Sequence, residues 1–354
     1  MPAAGLPRLP RAFAALGHNG FRIFWASMFF STAGLQMDVV LRAWLAFHLT
    51  GSGLALGTVV LARGLPQLVL PLLTGVAVNR ADKRTLLLLA QFAFGGLALL
   101  TAVLVNAGWI AVWHLVVIGL LQGAVLSFNA PLRHAYVGGL LKGEALANAT
   151  ALNLTLINLN TVLAPLLAGI FLDRSPALAF AVVTALFAIA GLRLTALPPA
   201  PPAPSRGPVI VEMREGLQYV ARHPGLRGLL ALLFLGVALG LPFQQFLPVF
   251  QARVLHVGDA ALGVLYATFG LGSLGGSLLV AQLAGHPRRG EVQLATGILL
   301  GVGLMAFAVT RHYLTALLLL VLLGVAGQAF TTMNSVLMML ITPQELQSRV
   351  MSLS

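Results

Sequence analysis

Long runs of hydrophobic residues alternate with short polar gaps along most of this chain. A helix that crosses a bilayer needs about 20 mostly apolar residues, so each run of that length predicts one membrane-spanning helix. The runs predict ten such helices, at residues 21–48, 55–78, 85–106, 109–130, 146–172, 176–197, 226–250, 260–284, 291–310 and 313–341. The pattern therefore predicts an all-α membrane protein whose helices are surrounded by lipid.

One long polar stretch interrupts the series of predicted spans. Residues 198–225 begin with a proline-rich segment, which cannot continue a helix. The charged residues that follow predict a short surface helix ending near His223. The stretch divides the chain into a six-helix N-terminal bundle at residues 1–197, a cytoplasmic linker at 198–225 and a four-helix C-terminal half at 226–354.

Composition and charge agree with a membrane location. The chain is 58% hydrophobic and only 8% charged, with a mean hydropathy of +0.94. Its net charge of +12 does not predict nucleic-acid binding, because the basic residues lie in short gaps between apolar runs. Of the 21 Lys and Arg residues, sixteen, Arg133 among them, lie on one predicted side, three on the other and two inside spans. By the positive-inside rule, this bias predicts an inner (plasma) membrane protein with both termini in the cytoplasm.

Several kinds of chemistry are excluded by what the chain lacks. It has no cysteine, so it can form neither disulfides nor thiolate metal sites. Its eight histidines stand singly and its nine acidic residues form no cluster, so the sequence predicts no catalytic residue and no metal site. "GLGSLG" at 270–275 fits a dinucleotide-binding fingerprint, but it lies inside a predicted span, where small residues permit close helix packing. We therefore predict no cofactor.

Three ionisable residues lie deep inside predicted spans, where charge is unfavourable and by default indicates a functional site. Asp38 and Arg42 are one helical turn apart in the first span, and Arg63 lies in the second. A short turn near Gly51 makes these spans antiparallel neighbours and places Asp38 and Arg63 at similar depth, which predicts an ion pair. Two interpretations stay open: a site for a proton or a cationic substrate, or a self-neutralising pair that fixes helix packing.

Other polar residues inside spans are candidates for lining a substrate cavity. The foremost are Gln36, Gln67, Asn129 and Gln244, followed by Gln122, Asn153, Asn158 and Gln245. Each of them can equally form a hydrogen bond between helices, which stabilises membrane proteins modestly.

An offset of 206 residues aligns two parts of the chain. "LALGTVVLARG" at 54–64 then meets "AALGVLYATFG" at 260–270, and the basic loop at 75–84 meets another at 281–290. Repeated halves enclose a central site in many secondary transporters. The second part stops before the counterparts of spans five and six, so we expect either a fragment or a shortened variant.

Together these features resemble the major facilitator superfamily. "GVAVNRADKR" at 75–84 resembles its signature G-x-x-x-D-R-x-x-R-[RK]: Gly75, Arg80, Lys83 and Arg84 match, and Asn79 stands in place of Asp. Stretches such as "FRIFWAS" at 21–27 and "ELQSRVMSL" at 345–353 are similar to a bacterial efflux branch that includes enterobactin-exporter-like and macrolide-efflux-like proteins.

The resemblance implies a role for the loop between spans two and three. It identifies a conformational latch whose basic residues contact the opposite half: Gly75, Asn79, Arg80, Asp82, Lys83 and Arg84. Because Asn79 carries no charge, the resemblance implies a weakened latch. The alternative is that the basic residues only enforce topology.

The resemblance also implies a function. It predicts a monomeric secondary transporter that exports a small amphipathic substrate, a drug or a siderophore-like metabolite, in exchange for protons and by alternating access. Two alternatives stay open: a shortened relative that does not transport, and a polytopic membrane enzyme acting on lipid or isoprenoid substrates. The scattered acidic residues argue against the enzyme.

Overall fold

The computed structural model of the chain describes residues 11–70, 82–199, 218–283 and 288–343. Nearly all of these residues are helical, and the described ranges contain no β-strand. The prediction of an all-α protein is therefore confirmed. The chain divides into two compact units, Met1–Ser205 and Arg206–Ser354.

The described part of the first unit contains six α-helices. A 3₁₀ turn at Arg11–Gly17 precedes them, and they are α1 (Asn19–Thr50), α2 (Gly53–Val69), α3 (Lys83–Asn106), α4 (Val112–Leu140), α5 (Gly143–Arg174) and α6 (Pro176–Thr195). α1 packs against α5 and α6, α3 packs against α6, and α2 packs against α4. The core between α3 and α6 includes a stacked pair, Phe94 and Phe187, with ring centroids 5.2 Å apart.

Capping residues set the tight turns between neighbouring helices. Gly51 ends α1 with a φ of 63°, a left-handed conformation that favours glycine. Ser52 then begins α2, because its hydroxyl accepts a hydrogen bond from the Ala55 amide at 3.5 Å. Ser175 caps α6 in the same way by accepting from the Leu178 amide at 3.4 Å. These short connections make α1 and α2, and likewise α5 and α6, antiparallel neighbours.

The second unit contains four helices in its described part. They are α7 (Pro224–Leu235), α8 (Asp259–Leu283), α9 (Arg289–Val309) and α10 (Tyr313–Ile341). Residues 218–222 form a further helical turn before His223, where the sequence predicted a short surface helix to end. α8 and α10 pack closely, and α9 packs against α10.

The prediction of one continuous helix at 226–250 was wrong. Regular α-helix ends at Leu235, and the chain continues through a π-helical turn, a 3₁₀ turn, one α-helical turn and a second π-helical turn: Gly236–Gly240, Leu241–Phe246, Leu247–Phe250 and Gln251–Leu255. Pro242 and Pro248 explain the break, since neither has an amide hydrogen to donate within a helix.

α4 also differs from its predicted bounds. It runs to Leu140, about ten residues beyond the predicted end at 130, and it retains Pro131 in its interior. The sequence predicts an end before this proline, because proline interrupts a regular helix. The extension places Arg133 within α4.

Eight described helices are long and apolar enough to cross a membrane: α1, α3, α4, α5, α6, α8, α9 and α10. α2 is shorter, and the rest of its predicted span lies outside the described residues. Large apolar side chains are exposed along these helices, for example Leu54 at 84% and Val309 at 79%. Extensive apolar exposure is unfavourable in water but favourable in lipid.

Candidate functional site

The most deeply buried charges in the first unit meet at Asp38. Its side chain on α1 is only 1% exposed, and the guanidinium of Arg42, one turn further along the helix, makes two hydrogen bonds to it. Arg42 Nη2 donates to Oδ1 at 2.7 Å and Nε donates to Oδ2 at 3.3 Å. Charge-assisted pairs with this forked geometry are among the strongest polar contacts in proteins. Asp38 is therefore held firmly against its own helix.

Two further helices reach the same carboxylate. Arg63 on α2 donates from Nη1 to Oδ2 of Asp38 at 3.3 Å, so the predicted ion pair is present. Gln122 on α4 donates from Nε2 to Oδ1 at 3.3 Å. Asp38 therefore receives hydrogen bonds from α1, α2 and α4. With Arg42 and Arg63 both charged, this group, here named the Asp38 cluster, carries one net positive charge.

The Arg42 guanidinium has two further features. It lies 6.0 Å from the centroid of the Phe180 ring on α6, a distance at which an aromatic face attracts a cation. Its Nη1 has no hydrogen-bond partner among the described residues. Arg42 therefore retains one donor that the observed arrangement does not use.

A cavity of about 430 Å³ opens beside the cluster in the same unit. Side chains of α1, α2, α4 and α5 line it: Met28, Leu35, Gln67, Leu126, Asn129, Arg133, His134, Val137, Leu146, Thr150, Asn153, Leu154 and Ile157. Its volume falls within the usual range of small-molecule sites, and its apolar walls with a few polar groups are typical of them. We name it the N-unit cavity.

α2 connects this cavity to the Asp38 cluster. Gln67 lines the cavity, and its Nε2 donates to the backbone carbonyl of Arg63, one turn earlier, at 2.9 Å. Gly123 on α4 contacts the same carbonyl so closely that a Cβ atom would overlap it. Movement of the α2 backbone at Arg63 would therefore displace one wall of the cavity.

The structure brings together some of the predicted site residues and separates others. Gln67 and Asn129 line the N-unit cavity, as does Asn153 from the second group of candidates. Gln36 is half-buried on α1 but lines no described pocket. Gln244 belongs to the second unit, where its backbone carbonyl accepts a hydrogen bond from the Tyr266 hydroxyl at 2.7 Å.

Arg133 is, together with His134 and Thr150, a polar cavity residue that was not predicted from the sequence. The sequence pattern places it beyond the end of a predicted span, among the basic residues that set topology. In the structure it is half-buried within α4, and its Nη2 donates to the Ser31 hydroxyl at 2.8 Å. A usable signal was present, since Asn129, Arg133 and Val137 recur at four-residue spacing and therefore share one helix face.

Only part of the predicted latch loop belongs to the described residues. Gly75, Asn79 and Arg80 lie outside them. Asp82 caps α3 by accepting from the Thr85 amide at 3.0 Å, and Lys83 is the first residue of that helix.

Arg84 makes its observed contacts within its own unit. It donates to the backbone carbonyls of Leu194 and Thr195 in the last turn of α6. A cation is favourable there, because the carbonyl end of a helix carries partial negative charge. The latch hypothesis for this loop stays a prediction.

Comparison with known proteins identifies the family. The family model described as transmembrane secretion effector (MFS_3) matches residues 11–354. The enterobactin exporter EntS of Salmonella typhimurium is 27% identical over 342 residues, which span 94% of this chain and 80% of the exporter. EntS of Escherichia coli O81 is 26% identical with the same coverage.

Solved structures with the same fold are membrane transporters. A point mutant of the nucleoside transporter NupG superimposes with a TM-score of 0.75 at 13% identity, covering 94% of this chain and 86% of NupG. A bacterial homologue of the lysosomal transporter Spinster gives 0.72 at 14% identity, covering 98% of this chain and 79% of that protein. The chain therefore belongs to the transmembrane secretion effector family of the major facilitator superfamily and is a multi-pass secondary transporter of small molecules.

Proposed function

We propose that this protein exports a small amphipathic molecule, a drug or a siderophore-like metabolite, across an inner membrane by alternating access. The similarity to enterobactin exporters over 94% of the chain supports export as the direction. The N-unit cavity supports an amphipathic substrate, because apolar walls surround a few polar groups. In this proposal, residues 1–197 and 226–354 form the two halves, joined by a cytoplasmic linker at 198–225, and both termini face the cytoplasm.

The proposal includes protons as the coupling ion and Asp38 as the group that binds them. The observation that carries it is the position of this carboxylate, 1% exposed and bonded to α1, α2 and α4 at once. Ionisable residues at such depth are rare outside ion pathways and substrate sites. A change of charge at Asp38 acts on all three helices.

Protonation of Asp38 would remove the one negative charge that holds Arg42 and Arg63 together. Two buried cations would then face a neutral acid, and an uncompensated buried charge costs about 3–5 kcal/mol. Arg63 would relieve this cost by moving away from Arg42. Because Gln67 bonds to the Arg63 carbonyl, a shift of the α2 backbone that accompanies this movement would reshape the N-unit cavity. Proton binding would thereby alter the substrate site.

The competing interpretation is that the Asp38 cluster only fixes helix packing. It predicts that neutralising Asp38 lowers stability without a specific effect on coupling. The two interpretations therefore differ in what a folded protein without this carboxylate would do.

The experiment compares variants in proteoliposomes with an imposed pH gradient. The substrates are ethidium, carboxyfluorescein and chloramphenicol, which represent a cation, an anion and a neutral molecule. We expect Asp38→Asn to abolish gradient-driven efflux of whichever substrate the unchanged protein transports. The matched control is Asp173→Asn, which removes an exposed carboxylate near the end of α5 and should leave efflux unchanged.

A second variant separates coupling from stability. Asp38→Asn combined with Arg63→Met keeps the net charge of the cluster at one positive charge, so we expect it to fold. It still lacks the proton-binding group and should still fail to couple. Gradient-driven efflux by this double variant would support the packing interpretation and refute Asp38 as the proton site. Failure of the unchanged protein to transport any substrate of the panel would count against export.

A further inference from the structure

The N-unit cavity contains a cation, Arg133, and none of the described residues that line the cavity is acidic. We propose that Arg133 binds an anionic group of the transported molecule, which makes the substrate class an amphipathic organic anion. This inference rests on the proposed function, because it assigns the substrate class of the same cavity. It goes beyond that function by naming the residue that selects for charge.

The charge around Arg133 differs from that in the Asp38 cluster. Among the described residues, Asp38 forms ion pairs with Arg42 and Arg63, whereas Arg133 forms none. Its bonded side-chain partner is the neutral hydroxyl of Ser31 at 2.8 Å. A cation in a poorly solvated site is stabilised strongly by an anion that brings both charge and hydrogen-bond acceptors.

A second polar group of the cavity, the Asn129 amide, has a donor without a partner among the described residues. Asn129 precedes Arg133 by one turn of α4, is 4% exposed and lines the same cavity. Within the described part of the chain, its Nδ2 donates to nothing. A buried donor without a partner is unfavourable unless a ligand or water supplies the acceptor. Asn129 and Arg133 therefore present two donors on one helix face.

The rest of the cavity selects for an apolar body. Leu126 and Val137 flank the polar pair along α4, and Leu154 and Ile157 approach from α5. An aromatic or aliphatic body would bury apolar area against these side chains, while a carboxylate, phenolate or sulfonate would meet Arg133. The fork of an arginine suits such flat, two-oxygen groups.

The first experiment needs no mutation. Three ligands share a naphthalene ring and differ in charge: 1-naphthoate, 1-naphthamide and 1-naphthylmethylammonium. Their affinities for the whole protein in lipid nanodiscs can be measured by isothermal titration calorimetry, with empty nanodiscs as the baseline. We expect naphthoate to bind more tightly than the amide by about tenfold or more, and the ammonium to bind most weakly. Equal or tighter binding of the ammonium would overturn the inference.

The second experiment removes the charge. Arg133→Gln should weaken naphthoate binding by about tenfold to a hundredfold and leave the amide unchanged, whereas Arg133→Lys should retain part of the affinity. The matched control is Arg22→Gln, an exposed arginine of α1 bonded to Asn19, which should change neither ligand. If Arg133→Gln weakens all three ligands equally, the residue acts only through structure and the inference is wrong.

Binding and export can fail separately. If the protein binds naphthoate through Arg133 but transports no substrate of the panel, that result would support the anion site and refute the proposal of export. Efflux of ethidium by a protein that does not bind naphthoate would keep the exporter and refute the anion site.

Discussion

The contacts that join the first two membrane segments differ in kind between the two units. The offset of 206 residues that aligns the two parts of the sequence pairs Asp38 with Gln244, and Arg63 with Phe269. In the first unit, α1 and α2 are joined by the ion pair between Asp38 and Arg63. In the second unit, Phe269 of α8 instead packs edge-to-face against Phe243, with ring centroids 5.6 Å apart.

The backbones of these helix pairs differ accordingly. α1 runs without interruption over 32 residues, whereas α7 gives way to irregular turns after Leu235. The irregular turns include Gln244, whose carbonyl accepts from the Tyr266 hydroxyl of α8. A side-chain carboxylate provides the acceptor between the helices in one unit, and a backbone carbonyl provides it in the other.

This difference between the two units indicates whether the first unit needs its charges for packing. At the equivalent sequence positions, the observed contacts of Phe269 with Phe243 and of Tyr266 with Gln244 join neutral groups, so a contact at this place does not require a buried ion pair. Buried ion pairs are often no more stabilising than apolar groups of similar size. The charges of the Asp38 cluster therefore support the proposal of a functional role, and three sets of substitutions test this difference.

The largest expected effect is on the stability of the first unit. Asp38→Asn should lower the free energy of unfolding by about 3 kcal/mol, because it leaves Arg42 and Arg63 without a counter-charge. Adding Arg63→Met should restore most of the stability that Asp38→Asn removes. Equilibrium unfolding in mixed detergent micelles measures both, and a double variant no more stable than the single one would show that the repulsion between cations is not the cause.

An intermediate effect is expected where backbones touch. A Cβ at Gly123 would overlap the Arg63 carbonyl, and a Cβ at Gly324 would overlap the Phe269 carbonyl. Alanine at either position should therefore lower the free energy of unfolding by about 1–3 kcal/mol. Gly138 in α4 has open space instead, and Gly138→Ala should stabilise the helix by up to about 1 kcal/mol. Similar unfolding transitions for all three variants would contradict the close approach of these helices.

The smallest expected effect concerns the neutral contact of the second unit. Tyr266→Phe removes the donor to the Gln244 carbonyl. It should lower the free energy of unfolding by about 0.6 kcal/mol, the average for a hydrogen bond between membrane helices. Efflux should continue, because no charge is lost. The measurement is the same unfolding titration with efflux in parallel, and a loss of efflux would assign this contact a role beyond packing.

Much of the fold could be predicted from local pattern. Run length predicted the helices, and the positions of Asp38 and Arg63 about a turn connection predicted their ion pair, since antiparallel neighbours reach equal depth at equal distances from the turn. The same rule could not predict the break after Leu235, because the length of an apolar run is the same whether its helix is regular or interrupted. Its prolines were the overlooked signal.

The candidate site was predicted less completely. Gln67 and Asn129 line the N-unit cavity, whereas Gln36 and Gln244 do not, and a role of any of them in substrate binding stays a prediction. Polarity inside a span marks a residue as a candidate, but it does not say which way the side chain points. Arg133 was missed because its helix runs through Pro131.

By itself, the sequence determined that this protein is a helical membrane transporter of the major facilitator type, because hydrophobic run length and signature residues are properties of the chain alone. Only the tertiary structure decided which polar residues meet. That choice depends on the rotation of each helix about its axis and on where each helix ends, and both follow from packing against neighbours distant in sequence. Such packing places Arg133 in the cavity, where it donates to Ser31 of α1.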